Sequence, residues 1–146
     1  MTAYLDHAAA TPLDPRVRAA AERFLGEHFA GPSGVHEAAR APHEALERAR
    51  EQVAALVGGA PEEIIFTSGA TEARNLAVKG LVSAHPSAAG VVATAVEHPA
   101  TLAAARTVTR DAGGPTLVGV DDEARVAPGA VAEATAEDTA VVAVHH

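Results

Sequence analysis

Three short apolar runs in the second half of the chain constrain its fold more than any other feature: GVVATAV (90–96), TLVGV (116–120) and TAVVAVHH (139–146). Each is rich in β-branched residues, too short for a self-burying helix, and separated from the next by a stretch with helical spacing. Strands that are apolar along their length, alternating with helices, build βαβ units. The expected fold class is therefore α/β, a mostly parallel sheet with flanking helices on both faces. The predicted helices run over 70–83, over 99–112 up to Gly113-Gly114, and near 128–136.

Upstream, LDPRVRAAAERFLGEHF predicts a helix capped by Asp14 with Pro15 in its first position, after a short extended lead-in at Tyr4-Leu5. AGPSGVH (30–36) reads as a loop. A second helix is predicted from His36 to Val57, with Pro42 breaking or kinking its first turns and Gly58-Gly59 ending it. EEIIFTS (62–68) predicts a further strand. The last strand has no covering helix after it, so the sheet is expected to stop in mid-pattern with an edge that needs a partner. Residues 1–146 are expected to form a single, incomplete domain.

Composition removes several classes of function. The net charge of −8 is spread along the chain, which disfavours nucleic acid and anionic membrane as partners. No apolar run approaches the ~20 residues that span a bilayer. MTAYLDHAAATPLDP lacks the basic and apolar regions of a secretory signal, so a cytoplasmic location is expected. The absence of cysteine excludes disulfides, thiolate metal sites and a cysteine nucleophile supplied by this chain. Ten arginines against one lysine, with abundant alanine, hint at a GC-rich bacterial source.

In open α/β sheets ligands bind outside the carboxyl ends of the strands. Three features fall there: Ser68-Gly69-Ala70-Thr71, Glu97-His98-Pro99 and His145-His146. The first, at a helix start, offers unpaired amides, a favourable dipole and the hydroxyls of Ser68 and Thr71 to an anion such as a phosphate. A cap by Ser68 or Thr71, with Glu72 in the first turn, is the commoner arrangement, and the residues alone leave both readings open. The spacing is neither GxxxxGK[ST] nor GxGxxG, which rejects a P-loop and a dinucleotide fingerprint. Lys79 lies about 12 Å along the helix from Thr71 and reads as a surface lysine.

His98 has the chemistry to stack on a flat ring or move a proton near neutrality, although a loop histidine is more often structural. His36 and His43 lack an obvious third ligand, and His145 and His146 alternate sides of a strand. No metal site is assigned.

Together, YLDHAAATPLDPRV, FAGPSGVHEAAR, EEIIFTSGATEARNLAVKG and AVEHPA closely resemble, in order and spacing, the N-terminal part of the pyridoxal-phosphate cysteine desulfurases of the class V aminotransferase group. That family shows LDxAATTP, FGNPSSxHxxGR, EIIFTSGATEANN and EHPA. The resemblance spans nearly the whole chain, and DTAVVAV is similar to the segment before the family's Asn-Asn-Glu motif. It implies an incomplete large domain of a fold-type I pyridoxal-phosphate enzyme. By the same resemblance Ala70 and Thr71 hold the cofactor phosphate, through a backbone amide and a hydroxyl. His98 stacks over the pyridine ring and is the candidate catalytic group, while Lys79 matches a helix lysine that is not the Schiff-base lysine.

The chain departs from the family pattern at Ala10, Gly31, Gly34, Ala39 and Arg74, which affects loop geometry and substrate contacts but leaves Ala70, Thr71 and His98 in place. The family's Schiff-base lysine, the Asp that pairs with the pyridinium nitrogen, and the persulfide cysteine have no counterpart in this sequence. The resemblance implies a desulfurase that converts L-cysteine to L-alanine and passes sulfur on as a protein persulfide, for iron-sulfur cluster or thio-cofactor assembly. This chain alone is expected to be inactive, as a split half or a truncation. Its expected partner is a complementary C-terminal chain or segment carrying the lysine and cysteine, within a homodimer or hetero-oligomer, with a sulfur-acceptor protein downstream. Alternatives are a fragment of another class V enzyme, such as a selenocysteine lyase or an epimerase, and a non-catalytic partner-binding fragment.

Overall fold

A computed structural model describes residues 3–145. Residues up to Ile65 form one compact unit and residues from Phe66 onward a second.

The first unit is helical. Asp14 caps α1 (Pro15–Leu25) by accepting from the Arg16 amide at 2.8 Å, with Pro15 at the first helical position as its fixed φ favours. The Arg16 guanidinium closes on the same carboxylate at 2.7 Å, and this pairing, before the amide bond, holds the Asp14 pKa below the usual carboxylate range. No residue of α1 is buried, so its apolar stripe is exposed among the described residues. α2 (Glu37–Val57) continues through Pro42, the position expected to break or kink it. Pro42 lies in the second turn, so it forfeits one helical bond, and its ring is buried. Gly58 ends α2 at φ 72°, in the left-handed region that glycine enters without steric cost, and its amide returns to the Ala54 carbonyl.

A 3-10 turn at Pro61–Glu63 follows, and beyond it the structure corrects an expectation. Residues 62–68 form no strand. Ile64 has extended dihedrals, but its carbonyl accepts from the Arg50 guanidinium rather than from a neighbouring strand. The predicted strand was read from apolar, β-branched residues. A strand also requires a partner for its backbone, and among the described residues none lies alongside.

The second unit carries α3 (Ala70–Ala84), β1 (Gly90–Thr94), α4 (Pro99–Val108), β2 (Thr116–Val118), α5 (Pro128–Ala134) and β3 (Thr139–Ala143). The three strands form a parallel sheet in the order β2-β1-β3. β1 is central, and Val91, Val92, Ala93 and Thr94 are all buried. Alternation along the strand sends Val91 to one face, where it joins Val141, Val78 and Val82 of α3, and Ala104, Ala105 and Val108 of α4. α5 packs on β2. Because the chain passes from β1 to β2 and then back beyond β1 to β3, right-handed crossovers place α4 and α5 on opposite faces. Gly90 starts β1 where a Cβ would meet the Asp138 carbonyl at 3.0 Å, and its amide donates to that oxygen at 2.9 Å. A side chain at this position would crowd that carbonyl, so glycine suits the close approach.

Most predicted elements are present with shorter ends. The helix predicted over 99–112 stops at Val108 and continues as a 3-10 turn at Arg110–Ala112, and the three strands end earlier than their apolar runs. Among the described residues no helix is long and apolar enough to cross a membrane.

Candidate functional site

Chain path gathers the site at one end of the second unit. α3 enters β1 through a short link over 85–89, and β1 leads into α4 through a short link over 95–98, with α3 packed on α4. Both helices therefore run antiparallel to β1, with their N-termini at its carboxyl end. α3 is about 22 Å long against about 16 Å for β1, so its first turn reaches past the strand end. Ala70, Thr71 and His98 thus share this end of the sheet with His145, which follows β3. His146 lies outside the described residues.

Ala70 and Thr71 are the first two residues of α3 and are exposed. The N-cap is Gly69, and no side chain caps the helix. This differs from the cap expected of Ser68 or Thr71. Ser68 sits one residue too early, and both its hydroxyl and its amide donate to Glu72 Oε2, at 2.6 and 2.7 Å. Those two bonds, the hydroxyl's first, lower the Glu72 pKa below the usual glutamate range. The Ser68 hydroxyl is therefore engaged. The Thr71 hydroxyl has no partner among the described residues, and the Ala70 and Thr71 amides precede the first intrahelical bond, from the Ala73 amide to the Gly69 carbonyl at 3.1 Å. A Cβ at Gly69 would meet nothing within 4 Å, so the approach to these amides is open.

This donor set fits a phosphate. Two amides and one hydroxyl without a partner among the described residues, and the positive end of a fifteen-residue helix, converge on the first turn. The Glu72 carboxylate occupies both Ser68 donors, so the donors left open at this turn among the described residues are those of Ala70 and Thr71.

His98 is exposed and is the N-cap of α4, a role its position before Pro99 at the first helical residue makes readable in the sequence. Its Nδ1 accepts from the Ala100 amide at 3.1 Å. An accepting nitrogen carries no proton, so the neutral ring holds its hydrogen on Nε2, the nitrogen not engaged with the helix. Capping fixes the ring's tautomer and leaves its outer nitrogen as a donor.

Lys79 is exposed in the later part of α3, away from the first turn. His36 is the N-cap residue of α2 without a side-chain cap bond, and His43 is exposed on the same helix. Among the described residues no three His, Asp or Glu side chains are placed to hold a metal ion. One contributor escaped the sequence reading. Thr94, the last residue of β1, is 1% exposed, and its hydroxyl accepts from the His145 amide at 3.3 Å. A lone threonine within the apolar run 90–96, shortly before Glu97-His98, was the available signal.

A parallel sheet with flanking helices, with an uncapped helix start and a capping histidine near the strand ends, defines an α/β unit. Residues 3–146 match the Aminotransferase class-V family, and the chain belongs to that family. It is similar to a cysteine desulfurase of Frankia sp. (strain EuIK1), 48% identical over 103 residues that cover 70% of this chain and 25% of the relative. A cysteine desulfurase IscS of Dictyoglomus turgidum is 38% identical over 144 residues, covering 98% of this chain and 36% of the relative. Among solved structures, SspA in complex with cysteine superposes with a TM-score of 0.82 at 31% identity, over 99% of this chain and 42% of that one. The chain thus spans between a quarter and about two fifths of the length of these relatives, and corresponds to the N-terminal part of a cysteine desulfurase-like protein.

Proposed function

We propose that this chain is the cofactor-cradle segment of a pyridoxal-phosphate-dependent cysteine desulfurase, which converts L-cysteine to L-alanine and passes the sulfur to a protein thiol, held there as a persulfide. The observation that carries the reading is the pairing of two things at one sheet end. A family match spans the chain, and α3 opens with two uncapped amides and a free Thr71 hydroxyl.

In this reading the amides of Ala70 and Thr71 and the Thr71 hydroxyl bind the phosphate, and the α3 dipole offsets its charge. His98 covers the ring, and its Nε2–H is the donor that handles a proton there. When bound, pyridoxal phosphate supplies an electron sink for the substrate's α carbon. Covalent attachment through a lysine and sulfur transfer through a cysteine are assigned to residues outside this segment. They reside in a complementary C-terminal portion, in one incomplete domain shared with this chain, and a sulfur-acceptor protein receives the product. A cytoplasmic location and an oligomeric, two-copy or mixed, assembly belong to the same reading.

The test is native-mass and absorbance analysis of the protein purified from its own cells, followed by titration of the chain with pyridoxal phosphate. Saturable binding, with co-purification of a lysine-bearing portion, is the expected result. A colourless chain that neither binds the cofactor nor associates with such a portion overturns the proposal.

A further inference from the structure

We infer that Thr94 is a positioning residue whose buried hydroxyl sets the spacing between the turn that presents His98 and the chain leaving β3. The inference rests on the role proposed for His98.

The parallel ladder between β1 and β3 runs from Gly90 opposite Thr139 to Ala93 opposite Ala143, and no pair is formed beyond it. On the other side β1 stays paired one residue longer, with Thr94 opposite Val118 and the Ala95 amide donating to the Val118 carbonyl at 2.8 Å. β1 and β3 therefore part at Thr94, while β1 and β2 stay joined. The strand order reverses across this same strand, and such reversals open a crevice at the carboxyl ends.

A side chain bridges the parting. Thr94 Oγ1 accepts from the His145 amide at 3.3 Å, a backbone donor that the ladder no longer reaches. On its other side the residue controls the approach to His98. The Thr94 carbonyl accepts from the Glu97 amide at 3.1 Å, closing the turn, and the Thr94 hydroxyl points to Glu97 Oε1 at 3.5 Å. At 1% exposure the hydroxyl has no water to replace either partner. The hydroxyl accepts on one side and donates on the other, so a single oxygen links β3's exit to the residue before His98. A valine of the same shape would fill the space and remove the protein acceptor of the His145 amide, leaving that exposed residue's amide to solvent.

The experiment compares the chain with Thr94→Val and Thr94→Ser, by amide exchange at His145, the ring nitrogen resonances of His98, and titration with pyridoxal phosphate. Thr94→Val is expected to speed His145 exchange about 10-fold, move the His98 ring resonances and weaken cofactor binding about 10-fold, with Thr94→Ser restoring all three. Faster exchange at His145 with unchanged His98 resonances overturns the inference, since the hydroxyl is then only a strand-end bond. If the unsubstituted chain binds no cofactor, the proposed function fails, and the His98 resonances alone decide Thr94: displaced in Thr94→Val they support it, unmoved they overturn it. Thr94→Ala, which removes the hydroxyl without adding an apolar branch, is read by the same criteria if Thr94→Val does not fold.

Discussion

Glu72 Oε2 lies 2.6 Å from Ser68 Oγ and 2.7 Å from the Ser68 amide nitrogen, so one carboxylate oxygen holds both donors of a residue four positions earlier. The pair forms a brace across the turn in place of a serine cap, and it leaves the Ala70 and Thr71 amides and the Thr71 hydroxyl unengaged among the described residues.

The brace makes stability depend on pH with a definite sign. The Ser68 bonds lower the folded pKa of Glu72, so its contribution is fully present above the ordinary glutamate value. As pH falls below about 4.3 the unfolded chain takes up the proton first, and the contribution is gone once the folded carboxylate is also protonated. Chemical denaturation of the chain and Glu72→Gln should differ most at neutral pH, with the difference closing as acid is added through and below that value. A constant difference across the range would show that the charge of Glu72 is not what stabilises the turn.

The engaged Ser68 and the free Thr71 should behave oppositely toward the cofactor. Thr71→Ala removes a hydroxyl available to a charged phosphate, and about 1.4 kcal/mol, a tenfold weaker dissociation constant for pyridoxal phosphate, is expected. Ser68→Ala should change that constant by less than about threefold, a margin well inside one hydrogen bond. Equal losses would place the phosphate on Ser68 as well, against the geometry of its bonds to Glu72.

His98 combines a structural and a proposed chemical role, and two substitutions separate them. Asn is a strong N-cap residue, so His98→Asn should keep the stability of α4 while removing the imidazole. His98→Ala should cost about 1 kcal/mol in urea denaturation. Both should lose whatever spectral signature a stacked ring imparts to bound pyridoxal phosphate. Retention of that signature in His98→Asn would assign the residue to capping alone.

Ala124 is the one residue other than glycine with positive φ among the described residues, at 60°. It closes the turn in which its amide donates to the Asp121 carbonyl at 2.9 Å. The left-handed conformation costs an alanine about 1 kcal/mol relative to glycine, partly offset by the extra freedom glycine has when unfolded. Ala124→Gly should therefore raise the urea midpoint slightly, whereas Ala124→Val should lower it.

The sheet was legible because β1 and β3 are dense in valine and bounded by glycine or short polar links, and α3 and α4 because their apolar spacing and the proline opening α4 mark helices. Ile64–Phe66 has the same local character as β1, yet it forms no strand. Propensity describes what a segment suits, and pairing depends on a neighbour that local sequence does not name. Ser68 illustrates a finer limit. A serine before a helix with glutamate in its first turn reads as a cap, but a displacement of one residue turns the cap into a brace. His98 follows β1 as the alternation of strands and helices implies. Ala70 and Thr71 instead follow the strand expected over 62–68, which does not form, and the start of α3 reaches that end of the sheet by packing antiparallel to β1. The bond from His145 to Thr94 spans 51 positions and leaves no periodic trace.

The return of the chain across β1 separates framework from chemistry. The valines and alanines that hold α3 and α4 to the strands lie within the elements, whereas 95–98 and 144–145 lie beyond their ends. Exchanges in those tips that keep the cap of α4 leave the packed core undisturbed, so the scaffold is evolvable: a lineage can alter what it recognises by rewriting a few terminal positions while inheriting its core unchanged.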